Sequence, residues 1–372
     1  MERVEIAVVG SGVMGSAAAR SLGARGVPVV LLEQFELGHA RGSSHGATRI
    51  FRYSYPGPGY VRMAGLAREA WAGLADEAGE ELLVPTGGLD AGQDAALCAA
   101  ALAECGVAHS WLAGEEVADR FPGVAARPGE RMLFQPDSGV LRAGRAVAAL
   151  QRLAARDGVD LRAQTPVSSI EPRDGRVLLR TPAGEISAGA AIITAGGWIA
   201  GILAGAVPRV PETTVTLQRV RYFRPETGDF RPETEGGWPT IIEWQRTGPG
   251  WYTVPPAGVA PGVKVAAHLP GRKVDPRDGP FGGTDADDEE QAAQYVRERL
   301  PGLDPAGFAA ETCLYTNTPD EAFVLDRSGD IVVGGGGSGH AFKFGPLIGE
   351  ILADLAMGRP PPVPLGQFSL TR

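Results

Sequence analysis

The chain opens on Val4-Glu5-Ile6-Ala7-Val8-Val9, an apolar, β-branched run that reads as a buried strand. It leads into Gly10-Ser11-Gly12-Val13-Met14-Gly15, and helical spacing follows over Val13–Arg25. A second apolar run, Val29-Val30-Leu31-Leu32, ends on Glu33. Strand, G-x-G-x-x-G, helix, strand and acidic residue together make the dinucleotide-binding fingerprint. Gly10 permits the tight turn, Gly12 lets a backbone approach a pyrophosphate, and Gly15 lets helix and strand pack closely. The helix N-terminus offers unpaired N–H groups to the diphosphate. Glu33 suits a ribose 2′-hydroxyl and disfavours a 2′-phosphate, so NADP is not expected.

The pattern then changes. Residues Gln34 to Thr48 are small and polar, and are followed by Arg49 and Arg52. They read either as a solvated loop or as a loop around a cofactor that directs His45, Arg49 and Arg52 into a site. A helical turn there would project the two arginines in similar directions. Tyr60–Ala78 has helical apolar spacing, Asp94–Cys105 and Arg145–Arg156 read as helices, and Val159–Ile170, Val177–Thr181 and Glu185–Thr194 as strands. The last runs into Ala195-Gly196-Gly197-Trp198, a small-residue turn that lets a backbone approach a ligand. From Pro208 to about Pro280 the chain is rich in strands, with candidates at Thr213–Phe223, Thr240–Trp244, Trp251–Val254 and Val263–His268. Asp285–Leu300 is a charged helix, acidic early and basic late. Near the end Ile331-Val332-Val333 meets Gly334 to Gly339, then His340 to Lys343, and a helix over Leu347–Met357. A second glycine-rich turn feeding a helix N-terminus is again an anion-seeking construction. Two such turns converge naturally on a large cofactor.

Composition narrows the classes. With 372 residues the chain has room for two domains. A net charge of −9 with no basic block argues against nucleic acid. No apolar run approaches the ~18 residues of a membrane span, and the first strand begins too early for a signal peptide. Cys98, Cys105 and Cys313 form no metal-ligand spacing and no even disulfide set, so a reducing cytoplasm is expected and no metal is.

With these residues in hand, the chain resembles the monomeric sarcosine oxidase and N-methyltryptophan oxidase family of flavoproteins. The motifs stand in the family's order: Gly10-x-Gly12-x-x-Gly15, Gly42-Ser43-Ser44-His45-Gly46-Ala47-Thr48-Arg49-Ile50-x-Arg52, Cys313-Leu314-Tyr315-Thr316 and Gly337-Ser338-Gly339-His340-x-Phe342-Lys343-Phe344. The resemblance implies an α/β fold: a Rossmann-like FAD-binding domain (1–80, 141–207 and 310–372) and an α+β substrate domain on a large antiparallel sheet (81–140 and 208–309). It implies FAD held by Gly10, Gly12, Val13, Met14, Gly15, Glu33, Gln34, Ser43, Ser44, Thr48, Arg49, Val167, Ala195, Gly196, Trp198, Gly337, Gly339, His340 and Lys343, with a thioether to Cys313. Arg52 and Lys343 match the pair that holds a substrate carboxylate, and Tyr252, His268 and Tyr315 match pocket positions. His45 and Arg49 match residues on the flavin's other face, and Lys264 the lysine that promotes electron transfer to O2.

The implied activity is that of an FAD-dependent oxidase of a secondary, N-methyl amino acid. Hydride passes from the C–H beside the amine to flavin N5, water hydrolyses the imine, and O2 becomes H2O2. A cytoplasmic monomer with a small amino acid and O2 as its partners follows. The segments Ile241-Ile242-Glu243-Trp244-Gln245, Pro249 to Pro256 and Gly228 to Gly237 depart from the family. They leave open a cyclic or arylated substrate of the proline, pipecolate or N-methyltryptophan type, or an acceptor other than O2.

Overall fold

The N-terminal apolar run becomes strand β1 (Glu2–Val9), whose last four residues are buried. Helix α1 (Val13–Gly23) follows, then strand β2 (Val29–Leu32), parallel to β1. A computed structural model describes residues 1–226, 237–244, 250–268, 271–282 and 285–372. Gly15 shows why the fingerprint needs glycine: an added Cβ would lie 1.9 Å from the Gly10 carbonyl oxygen and 2.5 Å from Thr194 Oγ1. No side chain could occupy that space.

β1 lies centrally in an eight-stranded sheet, between β2 and Gly184–Ile193, both parallel to it. Ile331–Gly335 extends the parallel core beside Gly184–Ile193, so the first and last thirds of the chain meet in one sheet. One face of the sheet is covered by α1, the Ala143–Arg156 helix and the Gly345–Ala356 helix, with α2 (Pro58–Ala78) packed beyond them. Because both faces are buried, the strands are continuously apolar rather than alternating. The Val159–Ile170 run is not one strand. It divides into Asp160–Arg162 and Ser169–Arg173, because the N–H groups of Gln164 and Thr165 turn back to the carbonyls of Phe35 and Glu33.

A nine-stranded sheet is built from 88–92, 110–113 and 131–135 together with strands between 214 and 317. It is antiparallel except where Thr240–Trp244 runs parallel to Gly88–Gly92. The Ala286–Arg299 helix packs on this sheet through Ala292, Tyr295 and Val296. A three-stranded sheet links the two larger ones, with strand β3 (Thr48–Phe51) at its edge.

Two local expectations change. The segment carrying Arg49 is strand, not a helical turn: β3 pairs antiparallel with Gly139–Arg142 through all four of its residues. Its β-branched Thr48 and Ile50 suit that pairing. The C-terminal glycine turn does not feed a helix directly. A 3₁₀ turn, Phe342–Phe344, intervenes, and the helix begins at Gly345, where an added Cβ would meet Val13 Cγ2 at 2.5 Å. That N-terminus is packed against α1. Among the described residues no helix is long and apolar enough to cross a membrane.

Candidate active site

The three sheets enclose a cavity of about 1570 Å³. Ordinary small-molecule pockets fall between about 300 and 1,000 Å³, so it holds more than a single small substrate. All the site residues expected from sequence border it except Gly15, whose part is the close contact beneath the turn.

At one end lie Gly10, Gly12, Val13 and Met14 with Glu33 and Gln34, facing Val167, Ala195, Gly196 and Trp198. The Glu33 carboxylate accepts from Ser11 N–H (2.8 Å) and Ser11 Oγ (2.9 Å), and from Phe35 N–H (3.0 Å). Burial opposes its charge. Hydrogen bonds from His39, Ser11 and Phe35 more than offset this and hold the carboxyl below its usual range. The 163–168 turn closes over this end because its backbone bonds to Glu33 and Phe35.

The 43–52 loop crosses the middle of the cavity. Ser44 Oγ accepts from Val13 N–H at 3.0 Å, tying the loop to the α1 N-terminus. Arg49 spends its guanidinium on the loop's own backbone, donating to the carbonyls of Ser43 (2.9 Å), His45 (2.6 Å) and Thr48 (2.8 Å). Thr48 O also accepts from Lys264 Nζ at 2.9 Å, so two cations share one oxygen. Burial, followed by the Arg49 charge, pushes the Lys264 ammonium down to about 7. His45 donates from Nε2 to Thr312 O (2.9 Å), which leaves Nδ1 bare. Cys313 lies on the Ala309–Asn317 strand at the cavity wall. Burial raises its thiol, while Arg49 and Lys264 act in the opposite direction.

At the far end stand Arg52 and Lys343, both buried. Arg52 Cζ is 4.1 Å from the Tyr55 ring centroid and 4.7 Å from that of Trp244. Lys343 Nζ donates to Tyr55 Oη (2.9 Å) and to His340 O (2.7 Å). His268 is pushed down to about 4 by burial and then by the Arg52 and Lys343 charges, so it is a neutral imidazole at pH 7. Burial raises the hydroxyls of Tyr252 and Tyr315, which stay protonated donors. The Tyr315 ring lies against Gly339, whose φ is +75° and where a Cβ would fall 2.3 Å from Cε2. That contact explains the glycine.

Two groups here went unremarked in the sequence. Tyr55 follows Arg52 in a Tyr53-Ser54-Tyr55 run. Asp90, a carboxylate within the short strand Gly88–Gly92, is 1% exposed. Its Oδ1 accepts from Ser54 Oγ (2.7 Å) and Trp244 Nε1 (3.0 Å), and its Oδ2 accepts from Gln135 Nε2. Ser54 Oγ in turn accepts from Arg52 Nη1 at 3.4 Å. An acid inside an apolar strand was the available signal. Of the segments that depart from the family, Ile242, Trp244, Trp251 and Tyr252 line the cavity. Residues 228–236, Gln245 and Pro249 lie outside the described residues.

A dinucleotide with a flat ring system fits this outline. The glycine turn and Glu33 stand at one end, and three buried polar atoms without a protein partner, His45 Nδ1, Thr48 Oγ1 and Thr316 Oγ1, belong to residues of the wall. Comparison with known proteins agrees. The family described as FAD dependent oxidoreductase matches residues 5–355. Peroxisomal sarcosine oxidase of Homo sapiens is 35% identical over 377 residues, covering 98% of this chain and 95% of that protein. N-methyl-L-tryptophan oxidase of Salmonella heidelberg is 30% identical over 383 residues, covering 100% of this chain and 99% of the relative. Among solved structures, NikD, an unusual amino acid oxidase essential for nikkomycin biosynthesis, is similar with a TM-score of 0.87 at 26% identity, covering 99% of this chain and 98% of its own. With glycine turn, acidic strand end and cavity all inside a match that runs nearly end to end, this chain belongs to the FAD-dependent oxidoreductase family.

Proposed function

We propose that this protein is an FAD-dependent oxidase of secondary, N-methylated amino acids, acting as its sarcosine oxidase relatives are named to do. The observation that carries the reading is one cavity with the nucleotide turn at one end and two buried basic groups, Arg52 and Lys343, at the other. Burial and then the Arg52 charge push the Lys343 ammonium well down, so an anion seated there would restore its proton. Bound FAD supplies a two-electron acceptor for hydride from the C–H next to the amine. Everything else is positioning and electrostatics by the protein.

Arg52 and Lys343 hold the substrate carboxylate, a planar fork beside a point charge. The substrate amine must be neutral to release hydride from its neighbouring carbon. The Arg52 cation and an uncharged His268 favour that neutral form, because a positive ammonium beside Arg52 is repelled. Tyr252 and Tyr315 wall the site with apolar rings and protonated hydroxyls. Lys264 places a switchable cation where O2 gains negative charge during reduction to H2O2.

The covalent link belongs to the same proposal. Cys313 on the cavity wall, where the Arg49 and Lys264 charges oppose the rise that burial gives its thiol, supports a thioether to the flavin. The same proposal includes a substrate domain of residues 81–140 and 208–309, a monomeric state, and a cytoplasmic location consistent with three free thiols. A second reading, a cyclic or arylated amino acid, rests on Ile242 and Trp244, residues of a segment that departs from the family and lines the cavity. A peroxide-coupled screen over N-methyl, cyclic and D-amino acids tests both readings. N-methyl substrates should give one H2O2 per amine oxidised; turnover only with an artificial acceptor would reject the oxidase reading.

A further inference from the structure

Resting on the reading that Arg52 and Lys343 hold a carboxylate, we propose that Tyr55 is the positioning residue that aligns both cations, with His340 fixing its hydroxyl. Tyr55 is 6% exposed, and every polar atom around it has a definable direction. His340 Nε2 lies 3.0 Å from Glu321 O, and a carbonyl only accepts, so Nε2 carries the hydrogen. Burial, aided by the Lys343 charge, holds His340 neutral, which leaves Nδ1 bare. At 3.2 Å from Tyr55 Oη, Nδ1 accepts the phenolic hydrogen. The Tyr55 oxygen then presents lone pairs to Lys343 Nζ at 2.9 Å.

The chain of donors is therefore polar in one direction, from Lys343 through Tyr55 to His340 and out to the Glu321 carbonyl. An ammonium has three N–H groups. Tyr55 Oη and His340 O take two, which leaves one for an anion in the cavity. Meanwhile the Tyr55 ring lies 4.1 Å from Arg52 Cζ, a cation–π partner of that guanidinium, while its hydroxyl holds Lys343 Nζ at the ring edge. One side chain thus sets the spacing of a fork and a point charge that must meet the same carboxylate. The titratable or charged groups facing Lys343 are Arg52, His340, His268 and Tyr55. Of these only Tyr55 gives its ammonium a side-chain acceptor.

The test measures binding of acetate and of neutral acetamide to the holoenzyme, read as perturbation of the flavin absorbance between pH 6 and pH 10. Tyr55→Phe keeps the ring over Arg52 and removes the acceptor. It should weaken acetate about tenfold, leave acetamide unchanged, and move the loss of acetate binding with rising pH to lower pH. The sign follows because the ammonium, not the amine, binds the anion, and the variant destabilises the ammonium. His340→Leu should reproduce part of that shift, and His340→Asn, which restores an acceptor near Nδ1, should reverse it. These two variants also serve if Tyr55→Phe fails to fold. Equal weakening of acetate and acetamide, or an unchanged pH profile in both Tyr55→Phe and His340→Leu, would overturn the proposal. Arg52→Ala separates the levels: if it leaves acetate binding intact, the carboxylate reading itself falls. If it weakens acetate while Tyr55→Phe does not, only the role of Tyr55 falls.

Discussion

Lys264 offers the sharpest physical test, because a lysine in its position destabilises the fold. It is 3% exposed on the Val263–His268 strand, and burial together with the Arg49 charge lowers it from 10.5 to about 7. At about 1.36 kcal/mol per pH unit, that fall corresponds to about 5 kcal/mol of destabilisation. The sign is fixed by linkage. Between pH 7 and pH 10.5 the unfolded lysine binds a proton that the folded one does not, so stability rises with pH across that window. Below pH 7 the whole penalty is present; above pH 10.5 it vanishes. Lys264→Met removes the charge at similar volume and gives up one hydrogen bond to Thr48 O, worth about 1 kcal/mol. That oxygen is not orphaned, since Arg49 Nη1 still donates to it at 2.8 Å. The variant should therefore gain about 3–4 kcal/mol at pH 6.5, a rise in Tm of roughly 5 °C, with the gap nearly closed at pH 9.5. Thermal unfolding of both proteins at the two pH values measures it. A variant no more stable at pH 6.5, or a gap that persists at pH 9.5, would refute the argument. The same substitution should slow reoxidation by O2 far more than reduction by substrate; equal slowing would remove Lys264 from the oxygen site.

Gly15→Ala places a methyl 1.9 Å from the Gly10 carbonyl, so the purified variant should carry little or no flavin, as read from its visible spectrum. Cys313→Ser should release its flavin into the supernatant on acid precipitation, whereas the parent pellet stays yellow; colour in both supernatants would exclude the thioether. Asp90→Ala leaves the buried N–H donors of Trp244 and Gln135 unpaired, and should lower stability by about 3 kcal/mol and weaken acetate binding. Arg52→Ala should weaken acetate at least tenfold with little change for acetamide, measured by the same flavin perturbation.

The sequence made the nucleotide end readable because its signals are local. Gly15 lies against Gly10 and Glu33 accepts from Ser11, contacts within thirty residues, and short apolar runs and a helical period mark the elements between them. The same locality misled at Arg49. Its segment pairs with Gly139–Arg142, some ninety residues on, and that partner turned a suspected helical turn into β3. The C-terminal glycine turn misled for a similar reason: the 3₁₀ turn Phe342–Phe344 separates it from the helix, whose first residue, Gly345, packs on the distant Val13. The carboxylate end was legible only in part. Arg52 and Lys343 stand out as cations in motifs, but Asp90 and Tyr55 acquire meaning only when Gly88–Gly92 is laid beside Thr240–Trp244 and the Gly334–Lys343 turn is brought against α2. Long-range strand pairing and buried polar networks leave no periodic trace.

The most direct measurement of the central claim is anaerobic mixing of the purified holoenzyme with sarcosine and, separately, with glycine and L-proline, followed by admission of O2. The account predicts that the N-methyl amino acid bleaches the flavin band, and that O2 restores it with one H2O2 per flavin. A band left unbleached by every secondary amino acid, or bleached and not restored by O2, would contradict it.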